Sequence, residues 1–186
     1  MLQQWLAQEN EAGIFYIRTP GAPAGCIKGL ALRYFPQVTD DGQQTIAELA
    51  QAGSRTRRWL KSKQHASQVD LAHIPLLGET VRLAAIGSTR VGGLYRNGKA
   101  LITPQLTKAI EAIAHDMPDF YFGRFDVRFD TLQGLGLGKG FAIMEVNGAG
   151  SEAIEAWDPD MNVWKAFQTI FVKQRALFAI GNAMRS

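Results

Sequence analysis

Apolar and polar positions alternate along EAGIFYIR (residues 11 to 18) and again along CIKGLALRYF (26 to 35), and the prolines and glycines of TPGAPAG between them mark a turn. The pattern predicts a strand hairpin. In VTDDGQQTIAEL, Asp41-Gly42 reads as a turn, and Thr45 with Glu48 has the T-x-x-E spacing of a capping box, so a short helix is expected there. Residues 55 to 68 (RTRRWLKSKQHASQ) are polar and basic, and RTRRWLKSK (55 to 63) reads as a solvated loop. ETVRLAAI (79 to 86) reads as a strand, and GSTRVGGLYRNGK after it is punctuated by glycine. Thr103-Pro104 opens a helix in which Leu106, Ile110, Ile113 and Ala114 recur at helical spacing as far as residue 115. A last helix is predicted over residues 160 to 180, with Trp164, Phe167, Phe171 and Phe178 as the apolar stripe that packs into the core.

Two further alternating runs carry charge. Along FYFGRFDVRFD (120 to 130), a strand puts Arg124, Asp126, Arg128 and Asp130 on one face and Tyr121, Phe125, Val127 and Phe129 on the other. Along FAIMEVN (141 to 147), Glu145 and Asn147 share a face, with Ala142, Met144 and Val146 opposite. If the two runs pair as a hairpin, Asp126 is about level with Glu145, and two carboxylates and an amide oxygen converge. Such oxygen ligands suit Mg²⁺, which is held by one or two carboxylates together with substrate phosphates. The competing reading is that the charged face is the wet side of an antiparallel sheet.

The glycines at 134, 136, 138 and 140 lie between these runs. QGLGLGKGF lacks the G-x-x-x-x-G-K-[ST] order of a P-loop and the strand-turn-helix setting of a dinucleotide fingerprint, so a flexible hairpin connection is expected.

Composition narrows the classes. A chain of 186 residues with 46% hydrophobic content can bury a good core, and length alone favours one domain. Strands in pairs with a few helices predict an α+β architecture, an antiparallel sheet flanked by helices. The net charge of +3 is mild. Basic residues around Trp59 in RTRRWLKSK raise a nucleic-acid module as an alternative, with cations on phosphate and an aromatic for stacking, although nucleic acid is not the expected partner. One cysteine, Cys26, rules out an internal disulfide and fits a reducing cytoplasm. Three dispersed histidines give no zinc signature, and no leader or membrane segment is evident. A cytoplasmic protein is expected.

GRFDVRF followed by MEVNGAGSE resembles the C-terminal part of ATP-grasp enzymes, including D-alanyl-D-alanine ligases and related carboxylate-amine ligases. In that family a G-R-hydrophobic-D strand precedes a strand ending E-V-N or E-A-N. QQWLAQENEAGIFYIR looks like the hinge strand and its successor, VTDDGQQTIAEL like the family's V-x-G-D-G-x-x-T-x-x-E-L segment, and EAWDP like its W-D-P end, so the resemblance covers about residues 1 to 180.

The resemblance implies that Asp126, Glu145 and Asn147 bind Mg²⁺ ions bridging the phosphates of ATP and that Arg124 contacts the transferring phosphoryl group or the acyl-phosphate oxygens. Glu11 would meet the ribose hydroxyls, and Gln4, Trp5 and Leu6 would form the hinge on adenine. Arg33 would stand in for a phosphate-facing lysine, and Ser151 would lie at the carboxylate substrate. A small-molecule carboxylate would take the γ-phosphoryl group to give an acyl phosphate, which an amine or thiol would then attack. A whole ATP-grasp enzyme has a lobe before the hinge. The expectation is therefore a fragment, a chain completed by a separate N-terminal lobe or by self-association, or a noncatalytic remnant that serves as an interaction domain.

Overall fold

The computed structural model describes residues 6–40, 42–62 and 69–185. The described residues divide into two compact units, one built from those up to Leu32 together with those from Arg96 onward, the other from Arg33–Tyr95.

The first unit is organised by a sheet. β1 (Asn10–Ile17) and β2 (Cys26–Tyr34) form as their alternation predicts, followed far along the chain by β6 (Phe122–Phe129) and β7 (Phe141–Asn147). With β5 (Leu94–Asn97) the strand order is β5-β2-β1-β6-β7, and β6 runs antiparallel to both β1 and β7. The unit boundary falls between Leu32 and Arg33 in β2 and between Tyr95 and Arg96 in β5. One face of the sheet takes α3 (Pro104–His115), which opens where Thr103 caps the Leu106 N–H and Pro104 needs no partner for its missing N–H. Ile14, Leu30, Phe125, Val127 and Phe129 meet Leu106, Ile110 and Ala114 in a core without charge. The other face takes α5 (Val163–Ala183), whose Ile180, Ala176 and Leu177 cover Phe15, Ile17 and Phe122.

The second unit holds the hairpin-like pair β3 (Gln37–Thr39) and β4 (Thr80–Arg82), with α1 (Ile46–Ala52) and α2 (Ser54–Lys61). The predicted capping box is formed: the Glu48 N–H donates to the Thr45 hydroxyl, and the Thr45 N–H donates to the Glu48 carboxylate at 2.8 Å. Its core gathers Val38, Ile46, Ala50, Trp59, Leu83 and Val91. Asp41 of the predicted turn lies outside the described residues, while Gly42 adopts the left-handed conformation (φ +79°) such a turn uses.

Five expectations need correction. The basic run read as a loop begins as helix α2, because Trp59 supplies a buried anchor (1% exposed) that a count of charges overlooks. The strand read over 79 to 86 has ladder pairing only at Thr80–Arg82, where β3 offers three residues to pair with. The glycine connection contains a helical turn, α4 (Leu132–Gly136), capped by Thr131 and tied to the start of α3 by the Thr103 hydroxyl on the Gly136 carbonyl. In β7, a bulge between the pairs Asp126↔Glu145 and Val127↔Ile143 reverses the alternation, so Phe141 and Ile143 pack on the core and Ala142 stands opposite Arg128.

The fifth correction concerns α5. Trp164, Phe167, Phe171 and Phe178 are 50 to 78% exposed instead of buried. The sheet face already carries the rings of Phe15 and Phe122, so a flank of smaller side chains approaches it more closely.

Candidate functional site

On the α5 side of the sheet, the register aligns the charged side chains of three strands. Glu11 faces Arg128, Gly13 faces Asp126, Asp126 faces Glu145 and Arg124 faces Asn147. Because directly opposed residues of an antiparallel pair share a face, Asp126, Glu145 and Asn147 stand together, as the alternation implied.

Asp126 is 3% exposed and held on both oxygens by Arg124, through Nε at 2.6 Å and a terminal nitrogen at 3.0 Å. The Asn147 amide donates to Asp126 Oδ2 at 3.3 Å, and Arg124 also donates to the Glu152 carbonyl at 3.1 Å. Glu145 is exposed on edge strand β7. Gly13 makes room beneath this group: a Cβ there would lie 2.5 Å from Ile154 Cδ1 and 3.0 Å from Arg124 Cδ.

Two further ion pairs are buried on this side. Arg128 donates to Glu11 Oε1 and to the Gln8 carbonyl, both at 3.0 Å. Lys173, from α5, pairs with Glu155 of the turn Ile154–Trp157, and its ammonium lies 3.9 Å from the centre of the Phe15 ring. Burial pushes the Lys173 ammonium below its ordinary range, and Arg124 adds to the push, against the opposing pull of Glu155. Gly29 accommodates the pair, since a Cβ there would collide with Glu155 Oε1 and Lys173 Nζ.

Sequence reasoning missed Glu155 and Lys173. The available signal was that Lys173 falls three, four and seven residues before Ala176, Leu177 and Ile180, which puts a charge within the buried stripe.

Glu11 is 2% exposed and engaged with Arg128. Leu6 is half-buried in irregular chain, and Gln4 and Trp5 lie outside the described residues. Arg33 belongs to the second unit, where it donates to the Gly87 carbonyl at 3.4 Å and lies 5.8 Å from the Tyr95 ring. Ser151 closes the turn after β7 by donating to the Asn147 and Gly148 carbonyls. It also lines a cavity of about 240 Å³ with Glu152, Trp157, Lys173 and Gln174.

Two anchors outside the charged row fix its frame. Tyr16 donates to Glu111 Oε2 at 2.7 Å, and the Gly25 N–H donates to the same carboxylate at 2.9 Å. Burial by itself would raise the Glu111 carboxyl, but hydrogen bonds from Tyr16, Gly25 and His115 hold it below the usual range, while burial and Glu111 push Tyr16 up. Asp158 of the W-D-P stretch accepts from the Asn97 N–H at 2.7 Å and from Arg96 at 3.0 Å.

As a cation site, the donor set is hard and oxygen-bearing: two in-register carboxylates and an amide, which fits Mg²⁺ in kind. Among the described residues, no three His, Cys, Asp or Glu side chains are placed to share a metal, so Asn147 would have to contribute. Arg124 now supplies the positive charge at Asp126.

No protein-family model and no curated protein matches the chain. Among solved structures it is similar to a bifunctional glutathione synthetase from Pasteurella multocida, with a TM-score of 0.50 and 14% identity over 89% of this chain. The matched region spans 24% of that protein's length. No described helix is long and apolar enough to cross a membrane. The sheet order, the helices on its two faces and this likeness together give the chain an α+β fold like that of the matched part of the synthetase.

Proposed function

We propose that the chain supplies the metal- and phosphate-binding face of an ATP-grasp ligase, of the kind that activates a carboxylate as an acyl phosphate for attack by an amine or thiol. The observation that carries this reading is the pairing of Asp126 with Glu145, with Asn147 beside them and Arg124 held against Asp126. Asp126, Glu145 and Asn147 would hold Mg²⁺, which when bound neutralises phosphate charge. Arg124 would then turn its guanidinium from Asp126 to the transferring phosphoryl group. Phosphoryl transfer needs positioning and charge stabilisation more than a protein nucleophile, and this constellation offers both. Ser151 and its cavity lie just past Asn147, where a small carboxylate substrate would fit. A relation to the D-alanyl-D-alanine ligases in particular rests on the GRFDVRF and MEVNGAGSE motifs.

A second reading, a noncatalytic ATP-grasp domain, draws on the bidentate clasp of Arg124 on Asp126, which supplies a carboxylate's counter-charge from within the protein. The nucleic-acid reading loses its stacking group, because Trp59 is core.

Thermal melting separates the two main readings from their failure. MgATP is expected to raise the melting midpoint of the wild-type chain, EDTA to abolish the rise, and Glu145→Ala, at an exposed position, to lose it while folding normally. ADP release with amino-acid mixtures then marks the ligase, and a melting shift without ADP release marks the noncatalytic domain. An unchanged midpoint with MgATP rejects both.

A further inference from the structure

Along α5, Trp164, Phe167, Phe171, Gln174 and Phe178 follow one another at alternating steps of three and four residues, the spacing of a coiled-coil seam. The four aromatics point away from the sheet and are 50 to 78% exposed. Phe167 and Phe171 already stack with their ring centres 6.4 Å apart. Beside this seam lies a cavity of about 310 Å³, lined by Trp157, Met161, Val163, Ala166, Phe167 and Ile170. An apolar ridge and an apolar hollow therefore share one face of one helix.

We propose that this face binds a second copy of the chain, the two α5 helices packing antiparallel about a twofold axis at Phe171. In that register residue 164 stands level with 178 of the other copy, 171 with itself and 167 with 175. Each Trp164 then meets a Phe178, the two Phe171 rings meet on the axis, and Arg175 comes over the Phe167 ring, a favourable place for a guanidinium. Phe178 of the second copy arrives at the level of Val163, Ala166 and Phe167, so it enters the hollow as a knob enters a hole.

Area and shape favour a self-complementary partner. Aromatic side chains bury roughly 150–250 Å² each, so the exposed parts of these four amount to on the order of 500 Å² per copy. Two copies remove about 1,000 Å², the size at which a specific interface begins. The charges of α5 do not oppose one another in this register: Lys165 stands level with Leu177, Lys173 with Thr169 and Arg175 with Phe167, and none falls on the axis. A patch that carries both ridge and hollow suits a closed isologous contact. This inference does not rest on the nucleotide reading and would survive its failure.

Sedimentation equilibrium on the full chain, at about 100 μM, is expected to give twice the 20.5 kDa chain mass. Phe171→Glu and Phe178→Glu should each give the single-chain mass with an unchanged circular dichroism spectrum. With Cys26, the one native thiol, replaced by serine, Phe171→Cys should form a disulfide-linked dimer under oxidation and Trp164→Cys should not. A monomeric wild-type chain, an open series of larger species, self-linkage through position 164, or failure of the position 171 crosslink in a dimeric sample would each overturn the proposal.

Discussion

The sheet of the first unit buries two chemistries on its two faces. Against α3 it is dry, with Ile14, Leu30, Phe125 and Val127 all without exposure and packed on Leu106, Ile110 and Ala114. Towards α5 it buries three ion pairs, Glu11–Arg128, Arg124–Asp126 and Lys173–Glu155, above glycines on β1 and β2 that leave them space. Burial of apolar area explains the first face without further assumption. It does not explain the second, because charges taken from water lose hydration that their mutual attraction only partly restores, and apolar replacements are often at least as stable. The dry face is accounted for by folding alone. The charged face is not.

Substitutions on each face test that contrast. The largest loss is expected from Phe125→Ala, which opens a cavity in the dry face and should cost about 4 kcal/mol by urea denaturation. Lys173→Met should cost about 3 kcal/mol, since it leaves Glu155 buried without its counter-ion. The double variant Lys173→Met with Glu155→Leu should recover most of that loss, and equal losses in single and double variants would mean that the pair stabilises the face after all.

Acid should act through the frame around both faces. Glu111 and Asp158 are held below their unfolded values, so the unfolded chain takes up protons first as the pH falls. The stability they contribute is therefore kept above about pH 4.5 and lost as pH falls through their lower folded values. Tyr16 has the opposite sign: its contribution is whole below about pH 10 and is lost at higher pH. Glu111→Gln should lower stability at neutral pH by about 2 kcal/mol and flatten the acid slope of the urea midpoint. The smallest effect belongs to the second unit, where Thr45→Ala removes the capping box of α1 and should cost about 1 kcal/mol.

Much of the fold was legible because strong local signals agreed with the tertiary outcome. The alternation of β1, β2, β6 and β7, the Thr45 and Thr103 caps and the extent of α5 could all be taken from residues within a few positions of one another. The level pairing of Asp126 with Glu145 was also accessible, since adjacent alternating strands fix which residues share a face. Even so, the bulge at Met144 moved Phe141 and Ile143 into the core against the simple alternation, because a bulge depends on the partner strand. The aromatic stripe of α5 was legible as a stripe, but its destination was not.

The sequence by itself determined where chain segments become strand or helix and which charged residues share a strand face, since both depend on backbone periodicity over short distances. Only the tertiary structure decided that Lys173 and Glu155 join the charged layer and that Trp164, Phe167, Phe171 and Phe178 face outward. Those outcomes depend on which surfaces fit closely when distant segments meet. The space left by Gly13 and Gly29, and the rings of Phe15 and Phe122 already on the sheet, settled that fit.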